Sequence, residues 1–144
     1  MHPKNFIAKL DEIKIAAAIC LAEQTTSGEI RVCVSHRHRV DALVAAQKRF
    51  LQLGMARTPK RNAVLIYFAP LAQTFALWGD IGVSEKCSVE SWQSIADRIA
   101  ARLRAGQFAD AVNEAVRDVG EMLARDFPRS SADPDRLPNT IVSD

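Results

Sequence analysis

The sequence predicts an α/β protein: three α/β/α layers around a small mixed β-sheet, with about four helices. Three observations carry this. Residues 29–69 read strand, helix, strand, the pattern of a parallel βαβ unit. Residues 61–82, RNAVLIYFAPLAQTFALWGDIG, hold two apolar runs broken at Pro70, as in an antiparallel hairpin. The first of these runs, residues 63–69, is apolar throughout, which suits a strand covered on both faces and therefore calls for helices on both sides of the sheet.

Taken in order, residues 5–23 place Ile7, Leu10, Ile13, Ala17, Ile19, Cys20 and Leu21 at helical spacing, predicting one amphipathic helix that ends at Thr25-Thr26-Ser27-Gly28. Residues 29–35 alternate, with Ile30, Val32 and Val34 on one face and Glu29, Arg31 and Ser35 on a wetter one. Asp41 can cap a second helix carrying Leu43, Val44, Ala46, Phe50 and Leu51, closed by Gly54. A Thr58-Pro59 turn leads into the hairpin, after which Gly82 and Ser84 turn the chain outward. Ser88 or Ser91 can cap a third helix with the stripe Trp92, Ile95, Ile99 and Leu103, broken at Gly106. A fourth stripe runs Phe108, Val112, Ala115, Val116, Val119, Met122, Leu123 and Phe127 and stops at Pro128. The domain is thus expected over residues 1–128, with a polar, proline-rich and irregular tail over residues 129–144.

A chain of 144 residues fits one domain with a sizeable core. No apolar run approaches the ~18 residues of a membrane span, and no secretory signal stands at the start, so a soluble cytoplasmic protein is expected. The net charge of +2 is too slight for a nucleic-acid partner. Cys20, Cys33 and Cys87 are too few and too scattered for a disulfide framework or a zinc site, and read as small core residues.

Chain direction brings distant polar residues together. The starts of the two parallel strands and the end of the third lie on one sheet edge, where Thr26, Ser27, Glu29, Thr58, Arg61, Asn62, Asp80 and Glu85 converge. Counting outward from Leu71 at the hairpin tip sets Asn62 across from Asp80.

The segments Thr26-Ser27-Gly28-Glu29-Ile30-Arg31-Val32, Leu53-Gly54-Met55 with Thr58, Arg61 through Tyr67, and Gly79-Asp80-Ile81-Gly82 come in a telling order. Trp92, Gly106-Gln107-Phe108, Phe127-Pro128 and Leu137-Pro138-Asn139 continue it. In this order the sequence resembles the TPM domain family, which includes a thylakoid lumen protein and bacterial relatives. Ala63 departs from the glycine expected after Arg-Asn, and Ser84 and Cys87 stand where asparagine and valine are more usual. The resemblance implies an α/β/α domain. Through its plant relatives it also implies a weak, metal-assisted acid phosphatase; the rival reading, which rests on the lack of a recognised nucleophile constellation, is a module without chemistry whose exposed helices or tail dock a protein partner, membrane-bound in one version of that reading.

For phosphate chemistry the edge offers Arg61 as a fork donor, Asn62, Thr58 and Glu29 as ligand-binding groups, and Asp80 with Glu85 as hard oxygen ligands for Ca²⁺ or Mg²⁺. The plainer alternative has Asn62 and Asp80 capping strand ends and Arg61 in a solvated ion pair. Cys33 and Arg39 match a Cys-x5-Arg phosphate loop, but no glycine lies between them to form the cradle of amides. His36-x-His38 reads as a solvated loop. That loop and Pro70 nevertheless occupy the carboxyl ends of the parallel strands, where α/β sheets usually bind ligands, opposite the Asp80 edge.

Overall fold

The computed structural model describes residues 1–129 and 141–144. Its elements are α1 (Pro3–Ala8), α2 (Glu12–Glu23), β1 (Glu29–Val34), α3 (Ala42–Gln52), β2 (Ala63–Ala69), β3 (Thr74–Gly79), α4 (Ile81–Lys86), α5 (Val89–Arg104), α6 (Phe108–Asp126) and β4 (Val142–Ser143). A short 3-10 turn, Met55–Arg57, follows α3. The strands form one mixed sheet in the order β3-β2-β1-β4. Strands β1 and β2 run parallel, with Glu29 beside Ala63, and β3 returns antiparallel. The predicted class holds, with six α-helices among the described residues in place of about four.

Two apolar cores lie on the two faces of the sheet. On one face Ile30, Val32, Val34, Val64, Ile66 and Phe68 pack against α1, α2, α5 and α6. On the other Cys33, Leu65 and Tyr67 pack against Ala42, Ala46 and Phe50 of α3. Strand β2 is buried at every position, as its unbroken apolar run demands. Strand β1 is buried throughout as well, so its expected wetter face is covered: Glu29 and Arg31 are each 8% exposed. Burial lowers the Arg31 pKa, and the neighbouring Glu29 charge opposes that shift.

The first predicted helix is two. Asp11 accepts a hydrogen bond from the Lys14 amide at 3.1 Å and starts α2 afresh. The break resets the helical stripe to Ile15 and Ile19, which are fully buried, and leaves Ile13 84% exposed. Helix α3 also buries fewer large residues than its pattern promises. Ala42, Ala46 and Phe50 face the sheet, while Leu43, Val44 and Leu51 stand in solvent. The two long helices follow prediction closely. Ser88 caps α5 through the Ser91 amide, and the whole predicted stripe of α6 joins the core. Ion pairs lace their outer edges, Arg98 to Asp118 at 2.9 Å and Arg102 to Glu114 at 2.7 Å.

The end of α6 is fastened to the loop before β1. The buried Thr26 hydroxyl donates to the Phe127 carbonyl at 2.5 Å, the Ser27 amide donates to the same oxygen, and Thr26 bridges Pro128. Residues 142–143, expected to be irregular, instead add a strand parallel to β1 opposite Cys33 and Val34. The resemblance at Leu137-Pro138-Asn139 lies outside the described residues.

Candidate functional site

The edge gathered by chain direction is real in its main parts. Arg61 Nε and Nη2 donate to the two carboxylate oxygens of Asp80 at 2.6 and 2.8 Å, a bidentate fork. The hydrogen bonds to Asp80 raise the Arg61 pKa. Asp80 is 5% exposed and also caps α4, its Oδ1 accepting from the Ile81 amide at 2.9 Å. The Asn62 amide donates to the Thr58 hydroxyl at 3.1 Å, and its side-chain nitrogen donates to Ser27 Oγ at 3.0 Å. The Arg61 amide donates to the Thr58 carbonyl at 3.1 Å, so Thr58, Arg61, Asn62, Ser27 and Asp80 form one network of charge and hydrogen bonds.

The register differs from prediction by one residue. Val64 faces Gly79 and Ala69 faces Thr74, so the loop has four residues and its centre falls between Leu71 and Ala72. Asp80 consequently lies across from Ala63, whose carbonyl accepts from the Asp80 amide, and it meets Arg61 through its side chain. The close packing of this corner needs glycine twice. A Cβ at Gly28 would stand 2.9 Å from the Asn62 carbonyl, and one at Gly82 would stand 2.4 Å from that of Lys60.

Glu85 and Glu29 are less central. Glu85 stands exposed on α4, and no polar contact ties it to Asp80 among the described residues. Glu29 sits beside Ala63 and acts on Arg31. A Ca²⁺ or Mg²⁺ ion at Asp80 would compete with Arg61, which engages both carboxylate oxygens. Among the described residues no three His, Cys, Asp or Glu side chains cluster closely enough to hold a metal.

With this geometry in hand, the comparisons decide the family: the model of the TPM domain matches residues 1–122. The chain belongs to the TPM domain family. The structure is similar to that of BA42 protein from the psychrophilic bacterium Bizionia argentinensis, at 35% identity, TM-score 0.85 and 92% coverage of both chains. It also shares its fold with the N-terminal domain of cg2496 protein from Corynebacterium glutamicum, at 16% identity and TM-score 0.60, covering 86% of this chain and 77% of that one. No curated protein matches.

Within this TPM domain the Cys-x5-Arg reading fails on chemistry. Cys33 is fully buried, and burial, helped by the Asp144 charge, pushes its thiol up to about 12, so no thiolate is present near neutrality. His36 and His38 are exposed loop residues, as expected. No helix among the described residues is long and apolar enough to cross a membrane.

Two features escaped the sequence reading. Beside Asp80 a groove of about 490 Å³ runs past Leu43, Leu77, Trp78, Ile81, Val89 and Trp92. Its components come from β3 and three helices, which no local pattern in the sequence joins. At the opposite edge Asp144 accepts hydrogen bonds from the Ser35 hydroxyl and, at 2.5 Å, from the Tyr67 hydroxyl. No local pattern announces that contact.

Proposed function

We propose that this TPM domain is a binding module without chemistry of its own, which takes an extended segment of a partner protein along the open edge of β3. The observation that supports the reading is the groove at that edge. Strand β3 borders the sheet, and its outer side has no strand partner among the described residues. An extended occupant projects successive side chains to opposite faces. Here one side of the edge offers Trp78 and Leu43, the other Leu77 and Trp92. The rim is apolar yet open: Leu43 is 52% exposed, Ile81 53% and Val89 79%.

The test uses a synthetic peptide alternating valine and threonine, titrated into the isotope-labelled chain. Amide shifts at residues 76–79 and at both indoles are expected, and Leu43→Lys with Val89→Lys should abolish them without unfolding, since both side chains are exposed. Shifts that miss the groove, or survive both lysines, overturn the reading. So does a concentration-dependent dimer that the same lysines dissolve, because the occupant is then a second copy.

A second reading, weak phosphatase activity at the Arg61 edge, draws on two observations. Arg61 adopts a left-handed backbone, φ 51°, a strained conformation often kept at functional positions. Its side chain is 49% exposed, so the fork could exchange Asp80 for phosphate oxygens. Hydrolysis of a phosphate monoester, with and without EDTA, should then fall in Arg61→Ala and change in Asp80→Asn. Equal background rates in all samples remove this reading.

A further inference from the structure

We infer that the basic recess beyond the carboxyl end of β1 takes the carboxylate side chains of an acidic protein segment, as a second docking surface apart from the β3 groove. The recess, about 260 Å³, is lined by Arg37 and Arg39 from the loop after β1 and by Lys48 and Arg49 of α3, together with Asp144. Asp144 does not neutralise these cations by contact. Its carboxylate oxygens take the Ser35 and Tyr67 hydroxyl protons, and none of the four cations forms an ion pair among the described residues. The Nε atoms of Arg39 and Arg49 are moreover buried without a hydrogen-bond partner. Buried donors left without acceptors are rare in folded chains, and carboxylate oxygens would satisfy them.

The walls of the recess are held in place before anything binds. The Arg37 amide donates to Ser35 Oγ at 3.1 Å, and the Thr74 hydroxyl donates to the Arg39 carbonyl at 2.5 Å, so the loop is fastened at both arginines. Arg49 is fixed through Nη2, which donates to the Ser143 carbonyl at 2.7 Å. Little ordering of the backbone remains to oppose binding. Size and charge then select the occupant. Pockets that enclose a whole small molecule span roughly 300–1,000 Å³. This one is smaller, and suits side chains reaching in from a segment that lies across the surface. Half-buried Arg39 and Arg49 carry the planar forks that match carboxylates, while exposed Arg37 and Lys48 add charge at the rim. A nucleic acid would call for a far more extensive basic face, which a net charge of +2 does not supply.

The test titrates a synthetic peptide of alternating glutamate and glycine into the isotope-labelled whole chain, with the glutamine analogue as control. Amide shifts at Arg37, Arg39, Lys48 and Arg49 are expected for the glutamate peptide alone, and its affinity should fall as salt rises from about 50 to about 500 mM. Arg37→Ala with Lys48→Ala, both at exposed positions, should weaken binding about ten-fold, the scale of two exposed ion pairs. Arg37→Glu alone and Lys48→Glu alone should each weaken it as well, which keeps the test sharp if the double variant folds poorly. Val89→Lys, placed in the β3 groove, should leave it unchanged, so the two surfaces fail separately. Equal binding of the glutamine peptide, shifts that miss the recess, or undiminished binding in the Arg37 and Lys48 variants each overturns the proposal. So does tighter binding of a single-stranded oligonucleotide of equal charge, which would assign the recess to nucleic acid.

Discussion

Cys33 illustrates how a residue can match a motif and still lack its chemistry. The five-residue spacing to Arg39 is legible in the sequence, but the reactivity of a thiol depends on its surroundings. Cys87 is also pushed up to about 12, by burial and then by hydrogen bonding to Asp126, whereas Cys20 lies exposed on α2. Alkylation with iodoacetamide at pH 8 should therefore modify Cys20 well before the other two, read by mass spectrometry of peptides. Fast modification of Cys33 would show that its burial is not maintained in solution. Arg61 and Asp80 are the converse case. Their meeting was legible from strand direction alone, while the fork between them was not, because a hairpin loop with an even number of residues moved the register by one.

Among the elements, the long helices were the most legible and the short ones the least. Helix α6 carries its apolar stripe over 19 residues, enough repeats to define a face. Helix α4 has only six residues and a glycine at its second position, which reads as a turn. Its existence depends on the Asp80 cap and on Gly82 passing the Lys60 and Arg61 carbonyls. Gly82→Ala gains helix propensity yet forces a Cβ against backbone oxygen. Urea denaturation should find a net destabilisation of about 1–3 kcal/mol, as for other steric intrusions into packed backbone. A stabilised variant would mean that α4 moves freely from the β2 entry turn.

At the scale of the molecule, burial of weak acids sets the alkaline limit. Tyr67 is raised to about 12, by burial and then by its bond to Asp144, and Cys33 and Cys87 are raised alike from 9.0. Above pH 9 the unfolded chain releases these protons while the folded one retains them, so stability present below pH 9 is lost progressively as pH rises toward 12. Thermal melts from pH 8 to 11 should show a falling midpoint. A Tyr67→Phe variant should flatten the part of that fall above pH 10, and an unaltered slope would mean that Tyr67 ionises freely in the folded chain. The layers themselves were legible because they follow from periodicity and from the crossover rule. The contact of Asp144 with Tyr67 was not, since it joins positions 77 residues apart through a two-residue strand that has no periodicity to read.

The fastening of Thr26 to Phe127 has a practical side. The family model stops at residue 122, inside α6, before that clasp begins. A protein trimmed to this limit would strip Phe127 from the core and leave the buried hydroxyl of Thr26 without the carbonyl it serves. Expression boundaries for this domain therefore belong beyond Arg129, whose amide still donates to the Thr25 carbonyl, and shorter versions invite aggregation through the uncovered base of β1.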